Sequence, residues 1–172
     1  MSSRLVIQNI IRFLTLILVQ LLILNNVNLS GYAIPYLYVL FILMLPTNTG
    51  KIPLLLLAFL CGMTIDIFSN MLGFHTFACT LVAFARILFA DRILTRNEAV
   101  IIATPNYYAV KPQYYISYLT VLLAIFYFTL FSLELFDSHG FFRLLLSTLL
   151  STLLTSVLAL LSQLLFIKRP HE

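Results

Sequence analysis

Charge is what this chain has least of. Only 9% of its 172 residues are Asp, Glu, Lys or Arg, where a soluble domain carries about 25% to solvate its surface. That scarcity excludes a water-soluble globule. A hydrophobic fraction of 62% excludes disorder for the opposite reason. Chemistry-bearing patterns are missing too. There is no glycine-rich phosphate loop, no Cys/His metal spacing and no nucleophile elbow, so no enzyme, metal or cofactor is expected. The two cysteines, Cys61 and Cys79, lie inside apolar runs and read as small buried hydrophobes rather than a disulfide framework. The net charge of +4 says little about nucleic acid, and none is expected as a partner.

What is present is apolar sequence, at a mean hydropathy of +1.05. A spanning helix needs about 20 apolar residues, so the chain has room for six spans in a single transmembrane domain embedded in a lipid bilayer. The run after Arg4 and Arg12 resembles a signal peptide. It ends in Asn25-Asn26-Val27-Asn28 with no small-x-small cleavage site, and is read as a retained first span. Phe13 to Gly50 contains no Lys, Arg, Asp, Glu or His and breaks in the middle at Asn25, Asn26, Asn28, Ser30 and Gly31, the mark of a helical hairpin. Pro35 is expected in the first turn of the second helix, where a missing N–H is harmless. Pro46 to Gly50 ends that helix. A second hairpin turns at Ser69-Asn70 and Gly73, and a third at 134–143.

The expected architecture is therefore all-α and polytopic. Three hairpins have spans at about 8–25, 32–46, 52–69, 71–90, 114–134 and 141–167, with a cytoplasmic connector over 91–113. Within that connector Ala99–Ala103 is too short to cross and is expected at the interface. A β-barrel is disfavoured, because runs such as Leu54-Leu55-Leu56-Leu57 show no alternation. With both termini cytoplasmic, Arg4, Arg12, Lys51, Arg86, Arg92, Arg96, Lys111, Lys168 and Arg169 lie inside and only Arg143 outside. That is the positive-inside pattern.

Few residues stand out within the spans. Asp66 is the only carboxylate and His75 the only imidazole between Lys51 and Arg86. Asp66 lies about 22 Å along its helix from Lys51, and Arg86 about 16 Å from His75. Three roles for Asp66 are open: a structural cap pairing with His75 and the N–H groups that start span four, a proton or solute relay, or a contact with a partner. Arg86 is expected to snorkel to the cytoplasmic interface. Ala58 and Gly62 form a small-xxx-small pair suited to internal packing or to a partner helix. In span six Ser147, Ser151, Thr155 and Ala159 recur every four residues. Thr148, Thr152 and Ser156 form a parallel row, with Gln163 beyond. Such a ridge suits intrachain packing or docking of another membrane protein. Tyr107, Tyr108, Tyr114, Tyr115 and Tyr118 read as an interfacial belt, or as a protein-binding patch.

The stretch from Pro35 to Arg86 resembles the rod shape-determining protein MreD family. The features that carry the likeness are Pro35-Tyr36-Leu37-Tyr38, Leu45-Pro46, Gly62-Met63-Thr64-Ile65-Asp66, Leu72-Gly73-Phe74-His75 and Ala83-Phe84-Ala85-Arg86. Outside this stretch the likeness is mainly hydropathy, and the connector with Pro105 and Pro112 does not align. The resemblance implies a six-helix fold similar to the substrate-binding subunits of vitamin-uptake transporters. It also implies a non-enzymatic inner-membrane component of the bacterial cell-elongation machinery, serving lateral peptidoglycan synthesis and rod shape. Its implied partners are the bitopic protein MreC, the MreB filament system and wall-synthesis enzymes. The alternative is a small-solute, vitamin-type binding subunit or transporter with Asp66, His75 and the outer turns as its site.

Overall fold

The structure is a computed structural model and describes residues 3–24, 33–71, 73–94, 105, 112–134 and 141–166. Its elements are all helices: α1 (Ser3–Leu22), α2 (Val39–Leu43), α3 (Lys51–Ser69), α4 (Phe74–Leu94), α5 (Pro112–Glu134) and α6 (Phe141–Phe166). Three of them are long and apolar enough to cross a membrane, over Lys51–Ser69, Pro112–Glu134 and Phe141–Leu164. The chain is thus a helical protein with membrane-spanning character. The turn cluster at 25–31, the run 99–103, Tyr107, Tyr108 and the turn at 135–140 lie outside the described residues.

Exposure runs opposite to that of a soluble bundle. On α6 the outward residues are Leu149, Leu153, Val157, Leu161 and Leu164, while Ser147, Ser151, Thr155 and Ala159 face inward. Lipid tails are as apolar as leucine, so burying leucine gains little there, and small residues take the contact face because they let backbones approach. On α5 the buried residues are Tyr115, Tyr118, Leu119, Leu122, Leu123, Phe126, Tyr127, Leu130 and Phe131. Their alternating steps of three and one draw a single stripe at helical period. Helices α3, α4, α5 and α6 pack each on the next, and α1 packs on α2 and α3.

The turn between α3 and α4 is tight. Asn70 adopts φ 53° and Gly73 φ 89°, and the N–H groups of Asn70 and Met71 both return to the Asp66 carbonyl. A left-handed residue just past the last turn closes the orphan carbonyls of a helix end. Gly62 makes the crossing close. A Cβ there would lie 2.6 Å from the His75 carbonyl oxygen and closer still to Thr76 Cα, so α4 passes directly over it.

The second segment differs most from expectation. Helix is confined to Val39–Leu43, not spread over 32–46. Pro35 lies before it, outside the helix, rather than in its first turn. Proline drives the preceding residue out of the α region and supplies no N–H, so the chain enters this stretch non-helical. Segment 33–46 is nonetheless almost wholly buried. Tyr38, Val39, Ile42 and Leu43 are fully inaccessible. It runs antiparallel to α1, from the level of Gln20 to that of Arg12, and antiparallel to α5, from Tyr127 to Tyr118. At its other end α4 runs on through 91–94, residues expected in the connector.

Candidate functional site

A non-helical stretch at membrane depth must have its backbone polar groups satisfied by protein, because hydrocarbon offers none. Here side chains from four helices supply them. On α1, Gln20 acts as a substitute peptide group: its Nε2 donates to the Pro35 carbonyl (3.2 Å) and its Oε1 accepts the Leu37 N–H (3.0 Å). On α5, the Tyr127 hydroxyl accepts the Tyr36 N–H (2.8 Å) and donates to the Ile34 carbonyl (2.9 Å), with Thr155 Oγ1 of α6 against the same oxygen. Ser151 Oγ, one turn before Thr155, accepts the Ile34 N–H (3.1 Å).

The far end of the segment meets a different set. The Arg86 guanidinium of α4 donates to the carbonyls of Ile42 (2.6 Å), Leu45 and Pro46. These are orphan carbonyls at and beyond the end of α2, where a cation also complements the helix dipole. Tyr118 Oη donates to the Leu43 carbonyl (2.9 Å), and Arg12 Nη1 reaches the Met44 carbonyl (3.3 Å). Gln163 Nε2 of α6 contacts Tyr115 Oη and, at 3.7 Å, Met44 Sδ.

Two expectations are corrected here. Arg86 does not extend into the open: it is 2% exposed, because the carbonyls of Ile42, Leu45 and Pro46 hold its head against the protein. Tyr115 and Tyr118 do not form a belt, since both are fully buried and their hydroxyls serve the interior. Tyr114 is half-buried.

Asp66 closes the α3–α4 hairpin. Its Oδ1 accepts the His75 N–H (3.1 Å), and its Oδ2 accepts the Thr76 N–H (2.8 Å) and hydroxyl (2.5 Å). A carboxylate at a helix N-terminus satisfies orphan donors and meets the positive end of the dipole. The His75 ring turns the other way, with Nδ1 2.7 Å from Tyr38 Oη. It sits edge-on to Tyr36 at a centroid separation of 5.0 Å. Tyr36 in turn stacks on Tyr127 at 5.8 Å. Asp66 and His75 thus meet through backbone, and the imidazole belongs to an aromatic cluster around the buried segment.

Of the residues singled out by sequence, Pro35, His75, Arg86, Ser151 and Thr155 converge on segment 33–46. Asp66, Gly62 and Gly73 build the hairpin beside it. Ser147 is buried on α6. The parallel row Thr148, Thr152 and Ser156 is buried with its hydroxyls unpartnered. Cys61 and Cys79 are free and buried. Sequence reading missed Gln20 and Tyr127. Gln20 carries a usable signal, being an amide inside an otherwise apolar run. Tyr127 carries none, being one aromatic among many on α5. The chain matches no protein-family model, no curated protein and no solved structure.

Proposed function

We propose that the chain is a non-enzymatic scaffold of the bacterial inner membrane that serves cell elongation and lateral peptidoglycan synthesis by binding other membrane proteins. The observation that carries this reading is the occupied interior. The polar groups that could have lined a solute site are used to hold the protein's own segment 33–46: Gln20, Tyr127, Thr155 and Arg86 all bond to it or to each other across it. Both carboxylate oxygens of Asp66 are engaged by α4. A solute carrier built on Asp66 and His75 would need those groups turned toward a cavity. Among the described residues, neither of two surface cavities, one beside Arg86 and one beside Phe13, includes them. A body packed in this way supports a reading in which its outer faces bind partners.

The resemblance of Pro35 to Arg86 to the MreD family supplies the context: an MreC-type bitopic partner, the MreB filament system and the wall-synthesis enzymes. The topology that goes with it has six crossings and cytoplasmic termini, with segment 33–46 as the second crossing. The alternating directions of α1, segment 33–46 and α5 support it, as does the charge asymmetry. The test is deletion in the native host, complemented by wild type or by Gly62→Leu. Loss of rod shape and of lateral incorporation of a labelled wall precursor, restored by wild type and not by Gly62→Leu, is expected. Rods of normal width with unaltered lateral incorporation after deletion would remove the proposal.

A further inference from the structure

Between α1 and α3 lies an open groove of about 310 Å³. Its walls are Ile10, Phe13, Phe41, Leu45, Leu57 and Leu60, and from Pro53 to Leu60 it extends about 10 Å along α3. Asn9 borders this apolar space from α1 without presenting polar surface to it. Asn9 is 8% exposed, and its Nδ2 has no hydrogen-bond partner. The groove ends at Thr49, whose buried Oγ1 is also unpartnered. Thr49 in turn lines a second cavity, of about 130 Å³, with Thr47, Lys51 and Arg86.

The second cavity has the opposite character. Its lining holds two cations and no acid. The described partners of Arg86 are carbonyl oxygens and the Tyr118 hydroxyl, which bring no net negative charge. The α3 N-terminus opens beside it, with Gly50 as N-cap and no side-chain cap. Uncapped N–H groups and the positive dipole end favour an anion. An apolar trough about half a bilayer leaflet or more in depth thus joins a cationic pocket at the end of α3, and the unpartnered amide and hydroxyl lie along and at the junction.

We propose that this two-part site holds one anionic phospholipid, with its phosphate in the Lys51–Arg86 pocket and one acyl chain in the α1–α3 groove. The headgroup charge is met by Lys51, Arg86 and the α3 N-terminus, and the acyl chain meets only apolar surface. The polar ends are neutralised where water is scarce.

The test is native mass spectrometry of the full chain, purified in mild detergent and exchanged into an equal mixture of phosphatidylglycerol and phosphatidylethanolamine. Wild type is expected to retain a single phosphatidylglycerol with at least tenfold preference. Lys51→Gln is expected to lower that preference at least tenfold, and Leu57→Trp, which fills the groove, to lower retention of either lipid as much, both with helix content unchanged. Lys51 is exposed, so its variant carries the test even if Leu57→Trp does not fold. The proposal is overturned by equal retention of both lipids, by no retention, or by full retention in Lys51→Gln. It is equally overturned if inorganic phosphate alone fills the pocket without competing with lipid, or if a partner polypeptide is found seated in the groove.

Discussion

At the scale of single residues, two glycines do different work. Gly62 is needed for space: a side chain there strikes the backbone of Thr76 and His75. Backbone cannot swing aside as a side-chain tip can, so Gly62→Ala is expected to destabilise by about 1–3 kcal/mol, and Gly62→Leu to separate α3 from α4. Gly73 is needed for its φ of 89°, with nothing within 4 Å of a built Cβ. Gly73→Ala is therefore expected to cost only about 1–2 kcal/mol, the penalty of an L-residue in the left-handed region. Thermal unfolding of the two alanine variants in detergent checks the order, Gly62→Ala the more damaging or at least equal. Asp66→Leu leaves three donors of α4 without an acceptor, whereas Asp66→Asn keeps an oxygen for one of them. Losses of about 1–3 kcal/mol per buried orphan donor are typical, so Leu should unfold at a clearly lower temperature than Asn.

At the scale of elements, the segment 33–46 depends on its neighbours more than on itself. A five-residue helix has no independent stability, since nucleation is costly and few bonds repay it. Removing Tyr127 Oη strips the partner from both the Ile34 carbonyl and the Tyr36 N–H. Tyr127→Phe is therefore expected to cost about 2–4 kcal/mol, from two orphaned backbone groups, although the ring packing is kept. Gln20→Leu strips the Pro35 carbonyl and the Leu37 N–H and should cost a similar amount. The double variant should cost less than the sum, because one loosened stretch bears both losses. Unfolding free energies of the two singles and the double test this.

The elements also separate what was legible in the sequence from what was not. The α3–α4 turn falls at Asn70 and Gly73, residues whose left-handed tolerance punctuates the sequence. The long apolar helices α3, α5 and α6 are visible as uninterrupted hydrophobic runs. Segment 33–46 was not legible as a broken element, because its hydropathy is that of a helix. What breaks it is Pro35 together with hydrogen bonds from Gln20, Tyr127 and Arg86, residues distant in sequence. Arg86 was misplaced for the same reason: its acceptors are carbonyls on another element, and no sequence pattern marks a carbonyl. Hydroxyl periodicity on α6 did mark a buried face, but not that Ser151 bonds to segment 33–46 while Thr155 bonds to the Tyr127 hydroxyl that holds it.

At the scale of the whole molecule, the described residues form a bundle that is apolar on its outside and packed in its middle around its own segment 33–46. Leucine and phenylalanine cover its outside, and its middle mixes leucine, isoleucine and phenylalanine with tyrosine, glutamine, arginine and small hydroxyl residues. The filled middle is what favours a binding body over a carrier. It is tested most directly by hydrogen–deuterium exchange of the full chain in lipid nanodiscs, resolved at the amides of Ile34, Tyr36 and Leu37. These amides lie outside any helix yet bond to Ser151, Tyr127 and Gln20. Protection comparable to that of mid-α5 amides, lost at Tyr36 in Tyr127→Phe, is the predicted result. Exchange of all three within seconds in the wild-type protein, as in a solvated loop, would contradict it.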